Sequence, residues 1–154
     1  MATTTSSPAP TGDPLELERQ VCFALSVASR TVLSVYRPLL EPMGLTHPQY
    51  LVMLALWQHA PMPVKDVGAL LQLDSGTLSP LLKRLEAQGL VARPRNPQDE
   101  RALTVSLTSR GQALREQAER IPEQVVARLG MEVSELEDLH RALTRVITAA
   151  VAAR

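Results

Sequence analysis

The segment from Val64 to Leu107 most constrains the fold. It reads as two short helices with little chain between them, "VKDVGALLQ" and "SGTLSPLLKRLEAQG", followed by "LVARPRNPQDERALTVSL". Asp74 is a good N-cap for the second helix, and Gly89 is a good stop. The last segment has an apolar start, a polar tip and then apolar residues at every second position, which is typical of a β-hairpin. Helix, tight turn, helix and hairpin together predict a winged helix-turn-helix.

Further helices are predicted on both sides of this segment. Apolar residues recur at helical spacing from Pro14 to about Leu40, which predicts one long amphipathic helix. Thr46 or His47 is expected to cap the next helix, "QYLVMLALWQHA", which is apolar nearly all round and therefore predicted to be buried. After Thr108, a suitable N-cap, two more helices are predicted to run to the end. The fold class is mainly α with a small β-hairpin wing.

The amino-acid composition excludes several classes of protein for this chain. Lys and Arg total 16, as do Asp and Glu, so any binding to nucleic acid must rest on a local patch. A single cysteine excludes an intrachain disulfide framework and a multi-cysteine zinc site, and it fits a reducing compartment. No apolar run is long enough to span a bilayer, and residues 1–13 read as a disordered tail rather than a signal peptide. The chain is therefore predicted to be cytoplasmic, with no membrane, metal or cofactor.

The second helix of the pair carries the candidate DNA contacts. Its leucines fall on one face that must belong to the core, while Thr77 and Ser79 lie on the other face and can enter a major groove. Lys83 and Arg84, one turn later, can neutralise phosphates. Pro80 is predicted to bend this helix. The alternative is an ordinary solvated helix face.

The hairpin adds a second candidate contact region. Its arginines, Arg93, Arg95 and Arg101, suit a narrow and electronegative minor groove. Asp99 and Glu100 lie beside them, and one acid is expected to pair with a neighbouring arginine and fix the shape of the tip. The alternative is a salt-bridged surface hairpin without a partner.

The stretch "LDSGTLSPLLKRLEAQGLVARPRNPQDERALTVSLTSRG" resembles the core of the MarR family of winged-helix regulators, and the resemblance extends from about Leu15 to Ala150. The N-terminal "LERQVCFALSVASR" is similar to the OhrR subgroup of organic hydroperoxide sensors. The resemblance implies a homodimer whose first and last helices interlock, bound to a pseudo-palindromic operator. Residues 14–154 would form a single domain, with dimerisation helices in 14–47 and 108–154 and the winged helix-turn-helix in 48–107. The implied recognition-helix residues are Ser75, Thr77, Ser79, Lys83 and Arg84, and the implied wing residues are Arg93, Arg95 and Arg101.

Cys22 is the only thiol and lies one position off the main apolar stripe of the first helix. A free cysteine is often a small buried apolar side chain, whereas a sensor cysteine is oxidised by peroxide to a sulfenic acid. The resemblance places Cys22 at the reactive position and matches Tyr36 to a tyrosine that bonds the reduced sulfur. His47 and Ser26 replace two other aromatic residues of the family. Without a second cysteine, the sulfenic acid must condense with a small thiol or a backbone nitrogen, or oxidise further.

Helix geometry predicts where Tyr36 can act. Fourteen positions separate it from Cys22, which is roughly 21 Å along one helix, so Tyr36 cannot reach the thiol of its own helix. A two-fold axis between paired first helices could bring Tyr36 of one subunit to Cys22 of the other. His47 could approach the same place, where a charged imidazole would favour the thiolate.

These observations predict a repressor, not an enzyme, that leaves its operator when organic hydroperoxide oxidises Cys22, and that accepts a small thiol as a mixed disulfide. A MarR-type regulator that answers another oxidant or a small phenolic ligand, with Cys22 structural, is the nearest alternative. A one-cysteine thiol peroxidase is a second, but no Arg or Thr flanks Cys22 and no βαβ pattern appears. The third is a helical interaction protein that binds no DNA.

Overall fold

The computed structural model describes residues 12–96 and 99–154, apart from the side chains of residues 95–102. The chain divides into two compact units, residues 1–34 and residues 35–154, and the boundary lies inside the first long helix. The helices are α1 (Val21–Leu40), α2 (His47–His59), α3 (Val64–Leu71), α4 (Ser75–Ala87), α5 (Ser109–Ala118), α6 (Ile121–Leu129) and α7 (Val133–Ala152). The strands are β1 (Met62–Pro63), β2 (Val91–Ala92), β3 (Arg95–Asn96) and β4 (Asp99–Leu107). Of the predicted tail, only Gly12 and Asp13 are described, and both are exposed.

Two predictions about the flanking helices are wrong in detail. The first helix begins at Val21 rather than at Pro14, because a short 3-10 helix, Leu17–Arg19, is followed by Gln20 in an extended conformation. The chain after Thr108 forms three helices instead of two. Pro122 has no N–H to donate to the carbonyl of Ala118, and this missing hydrogen bond favours the break between α5 and α6.

The predicted hairpin is confirmed as part of a small antiparallel sheet. β4 pairs with β2 through Val91 and Leu107, and with β3 through Arg95 and Leu103. On its other edge β4 also pairs with β1, a two-residue strand just before α3 that sequence reasoning did not predict. The fold class, mainly helical with a small β wing, is confirmed.

The predicted caps of α2, α4 and α5 are confirmed. Thr46, rather than His47, caps α2, since its Oγ1 accepts from the Gln49 N–H at 3.4 Å and its N–H donates to Gln49 Oε1 at 2.9 Å. Asp74 Oδ1 accepts from the Thr77 N–H at 2.7 Å at the start of α4. Thr108 Oγ1 accepts from the Gly111 N–H at 3.0 Å at the start of α5. Each cap satisfies a backbone donor that the helix itself leaves unpaired.

The core of the second unit joins α2, α3, α4 and the sheet. The predicted leucine face of α4 is buried: Leu78, Leu81, Leu82 and Leu85 are at most 9% exposed. α2 contributes Val52, Met53 and Leu56 among others. The prediction that α2 is buried all round is only partly right, because Leu51 and Leu54 remain 37% and 40% exposed. The core nevertheless fixes α4 with its leucine face inward and its polar face outward.

A close approach explains the glycine in "LTSRG". A Cβ on Gly111 would lie 2.0 Å from the carbonyl oxygen of Leu90, well inside van der Waals contact. The Gly111 carbonyl in turn accepts a hydrogen bond from the indole N–H of Trp57 at 2.9 Å. The first turn of α5 is therefore held against both the base of the wing and α2, and it has no room for a side chain at position 111.

Gly111→Ala is expected to lower the free energy of unfolding by about 3 kcal/mol, the upper end of the usual cost of overpacking, because the methyl group meets backbone. Urea unfolding followed by the fluorescence of Trp57, the only tryptophan, measures it. Gly130→Ala is the matched control, since Gly130 has a φ of 63° but no atom within 4 Å of an added Cβ. In that variant only the left-handed backbone conformation is strained, which is expected to lower the free energy of unfolding by about 1 kcal/mol. Equal losses in both variants would contradict the close approach.

Candidate DNA-binding surface and redox site

The structure exposes every residue predicted for the recognition helix. Ser75, Thr77, Ser79, Lys83 and Arg84 are all exposed on α4, whose leucine face packs into the core. α4 runs through Pro80 without interruption. Small and hydroxyl side chains therefore occupy its first turns, and two cations follow one turn later. This is an arrangement that can enter a major groove and contact phosphates.

The N-terminus of α4 is fixed by Asp74. Hydrogen bonds from Thr77 lower the pKa of the Asp74 carboxyl below its ordinary value of 3.8. A carboxyl whose pKa is lowered by folding stabilises the folded state above its ordinary pKa, and this contribution is lost as the pH falls through the lowered value. The cap is therefore intact at neutral pH, where the polar face of α4 would meet DNA.

The wing is confirmed in its backbone only. Arg95 lies in β3 opposite Leu103, and Asp99 begins β4 opposite Asn96. Arg101 lies on β4, close to the hairpin tip. The side chains of Arg95, Asp99, Glu100 and Arg101 lie outside the described part of the structure, so their predicted roles remain predictions.

Arg93 has a partner that sequence reasoning missed. Its guanidinium binds Glu86 on α4, with 2.7 Å between Nη2 and Oε2 and 2.8 Å between Nε and Oε2. The charge of Arg93 is thus paired within the chain, while its predicted contact with DNA remains a prediction.

Cys22 is exposed at the second position of α1, so this chain does not bury it as a small apolar residue. None of the residues 12–34 is buried. Five apolar side chains of this part of α1 are each at least 36% exposed: Val21, Phe23, Leu25, Val27 and Leu33. One chain therefore leaves the apolar face around the thiol uncovered.

α7 shows the same property within the second unit. It has no buried residue, and five of its larger apolar side chains are 44–57% exposed: Val133, Leu139, Val146, Ile147 and Val151. An exposed apolar stripe of this extent marks an interaction surface. The sequence pattern predicts a stripe on this helix at Leu136, Leu139, Leu143, Val146 and Ala150. Of these, Leu139, Val146 and Ala150 are exposed, whereas Leu136 and Leu143 are half-buried.

Two of the three predicted redox residues meet in an aromatic cluster. The rings of Tyr36 and His47 lie edge to face, with centroids 5.0 Å apart. Tyr50 completes the cluster at 6.0 Å from Tyr36 and 6.2 Å from His47. Sequence reasoning missed Tyr50, although its position three residues after His47 on α2 puts both on one helix face.

Burial shifts the pKa values of two rings in the aromatic cluster toward their neutral forms. Burial lowers the pKa of His47 from its ordinary value of 6.5, which disfavours the imidazolium. Burial and, to a smaller extent, Tyr36 raise the pKa of Tyr50 above 10.0. The expectation of a charged imidazole at position 47 is therefore corrected, because desolvation favours the uncharged ring. A neutral His47 can still donate or accept one hydrogen bond.

The described residues contain neither a cluster suited to a metal ion nor a helix suited to a membrane. No three His, Cys, Asp or Glu side chains in this part of the chain are grouped so that they could hold a metal ion. In the same part, none of the helices is both long and apolar enough to cross a membrane.

A helix-turn-helix with an exposed polar second helix, followed by a β wing, defines a DNA-binding protein of the winged-helix class. Residues 45–103 match the MarR family. The organic hydroperoxide resistance transcriptional regulator of Bacillus subtilis (strain 168) is 44% identical over 136 residues, which cover 88% of this chain and 90% of that protein. The chain belongs to the MarR family. It is a transcriptional regulator and not an enzyme.

Solved structures agree with this assignment. Reduced AbfR bound to DNA has a TM-score of 0.71 and 34% identity, over 88% of this chain and 94% of that one. Overoxidized AbfR bound to DNA has a TM-score of 0.67 and 37% identity, over 84% and 94% of the two chains. AbfR is a protein of Staphylococcus epidermidis. The winged-helix fold is thus shared with a protein solved on DNA in two redox forms.

Proposed function

We propose that this chain is a homodimeric cytoplasmic repressor that leaves a pseudo-palindromic operator when organic hydroperoxide oxidises Cys22. The observation that carries the proposal is the place of the only thiol, which is exposed on an apolar helix face that this chain leaves uncovered. The Bacillus relative is named for organic hydroperoxide resistance, which supports the choice of oxidant. A change at a dimer interface can alter the spacing of two recognition helices, and this spacing sets operator affinity.

The exposed stripes of α1 and α7 support the homodimer. Each stripe needs an apolar partner, and a second copy of the chain offers the same two stripes in an isologous interface. Such an interface would cover the surroundings of Cys22 with residues of the partner. Tyr36 of the partner subunit would then donate a hydrogen bond to the sulfur, with neutral His47 beside it.

The chemistry needs only the thiolate and the peroxide. The sulfur attacks one peroxide oxygen, so that an S–O bond forms, the O–O bond breaks and an alcohol leaves after taking up a proton. The sulfenic acid then condenses with a small thiol, which forms a mixed disulfide and releases water. Because AbfR has been solved on DNA in an overoxidized form, we assign release to the bulk of the mixed disulfide rather than to added oxygen alone.

A gel shift on the DNA upstream of the gene for this chain tests the proposal. The protein is treated with cumene hydroperoxide, with and without a small thiol, and the intact mass is measured for each sample. We expect binding by the reduced protein and release when the mass shows one thiol adduct per chain. A reduced protein that does not shift this DNA would contradict repression of its own region, and an adduct that remains bound would contradict the redox mechanism.

The proposed DNA contacts divide into two groups. Ser75, Thr77 and Ser79 reach base edges or phosphates from α4, and Lys83 and Arg84 neutralise phosphates one turn later. Arg95 and Arg101 read a minor groove from the wing, with Asp99 fixing the tip. Exposure of the α4 residues supports the first group, and the hairpin backbone supports the second.

Arg101→Ala and Lys83→Ala are expected to weaken operator binding and to reduce the salt dependence by about one phosphate equivalent each, if both side chains contact the backbone. Both changes remove exposed or wing-tip atoms, so the fold and dimer are expected to persist. Fluorescence anisotropy with a labelled operator at several salt concentrations measures both quantities. Arg128→Ala, an exposed cation on α6, is the control. Unchanged affinity in either variant would remove that residue from the contact surface.

A further inference from the structure

The ion pair between Arg93 and Glu86 joins the wing to α4. Arg93 follows β2 at the base of the wing, and Glu86 lies in the last turn of α4. Nε and Nη2 of Arg93 both donate to the same carboxylate oxygen, at 2.8 and 2.7 Å. We propose that this pair sets the position of the wing relative to α4, and that Arg93 is a positioning residue rather than a DNA contact. The inference rests on the proposed operator binding.

The geometry of the pair differs from that of an ordinary surface ion pair. Only 21% of the Arg93 side chain and 45% of the Glu86 side chain are exposed, against 53% and 59% for Arg115 and Glu119 on α5. Exposed ion pairs such as Arg115–Glu119 are screened by water and do little to fix the positions of their side chains. Two N–H groups of a planar guanidinium on one oxygen fix direction as well as distance. The Glu86–Arg93 pair can therefore hold one element against another.

Among the described side chains that lead from α4 toward the wing tip, Arg93 is the last that is partly buried. Leu90 and Val91 are buried, Ala92 and Arg93 are half-buried, and Pro94 is exposed. The backbone turn from α4 into β2 is closed by a hydrogen bond from the Leu90 N–H to the Leu85 carbonyl at 3.0 Å. The ion pair adds a side-chain contact between α4 and the wing at the point where the hairpin leaves the core.

The position of Glu86 distinguishes the two possible roles of Arg93, because the two roles predict opposite effects on DNA binding when the Glu86 carboxylate is removed. Glu86 lies three residues after Lys83 and seven after Ser79, on the side of α4 proposed to face DNA. An unpaired carboxylate there would repel phosphate, and its removal would favour binding. If the carboxylate instead holds the wing in place, its removal weakens binding although a negative charge has been taken away.

Operator binding by Glu86→Ala, Arg93→Ala and the double variant tests the inference by anisotropy across a range of salt concentrations. We expect each single variant to bind the operator roughly tenfold more weakly than the wild type. The double variant is expected to bind no more weakly than the single variant with the lower affinity, because both changes break the same ion pair. Arg93→Ala is expected to keep the salt slope of the wild type, since no phosphate contact is lost. Arg115→Ala and Glu119→Ala, which break the pair on α5, are matched controls and should bind as the wild type does.

Three results would overturn the inference while the wild type still binds DNA: tighter or unchanged binding by Glu86→Ala, a salt slope reduced by about one in Arg93→Ala, or additive losses in the double variant. Failure of the wild type to bind would instead overturn the proposed function, and this inference with it. Urea unfolding followed by Trp57 fluorescence checks that each variant is folded. Arg93→Gln replaces Arg93→Ala if the alanine variant does not fold.

Discussion

Cys22→Ser is expected to bind the operator as tightly as the wild type and to stay bound after treatment with hydroperoxide and a small thiol. A hydroxyl group cannot form the sulfenic acid, so no adduct can follow. The wild type is expected to lose roughly 5- to 150-fold in affinity under the same treatment, the usual range for coupling between two sites. Because Cys22 is exposed and makes no contribution to the core of the single chain, the serine variant is expected to fold normally. Gel shift and intact mass on the same samples measure both outcomes.

Release of the serine variant by peroxide would assign sensing to another side chain. Thioethers are the remaining groups that peroxide oxidises readily. Met43 and Met62 are 9% exposed and Met53 is fully buried, whereas Met131 is 37% exposed. Met131→Leu in the serine background then shows whether that methionine is the target. Persistent binding of the serine variant, with no change in mass, would establish that release requires Cys22.

Local interactions made much of the fold predictable from the sequence. The caps at Thr46, Asp74 and Thr108 each involve a backbone donor three residues ahead, so the sequence contains both partners. The buried leucines of α4 follow the helical period directly. The start of α1 at Val21 and the separation of α5 from α6 were missed, because periodicity continues across a short break in the backbone.

The site was less predictable because its parts meet through tertiary structure. Glu86 and Arg93 are joined by a turn of chain whose path places a helix end beside a strand, and no periodic pattern encodes that contact. Tyr50 looked like one more apolar residue of a buried helix. Its contact with Tyr36 depends on how α2 meets the end of α1. The neutral state of His47 likewise follows from burial, which only the fold determines.

The largest effect on the rate of sensing is expected from Tyr36. We expect Tyr36→Phe to slow oxidation of Cys22 roughly tenfold or more, the loss of one hydrogen bond to a charged sulfur. Loss of free thiol with time in cumene hydroperoxide measures the rate. The aromatic cluster argues that the hydroxyl is held in place, since the rings of His47 and Tyr50 pack against Tyr36. An unchanged rate in this variant would remove Tyr36 from the proposed site.

Mixed dimers decide which subunit supplies the tyrosine. Fourteen helical positions span about 21 Å, too far for Tyr36 to reach Cys22 on its own α1, so the proposed hydrogen bond would cross the dimer interface. In a heterodimer of one Cys22→Ser chain and one Tyr36→Phe chain, the remaining thiol faces the intact Tyr36 of the partner subunit and is expected to react at the wild-type rate. The reciprocal control pairs a wild-type chain with a chain that carries both changes. Its only thiol faces phenylalanine and is expected to react as slowly as in the Tyr36→Phe homodimer. Slow oxidation in the first heterodimer with fast oxidation in the second would show that each thiol depends on the tyrosine of its own chain.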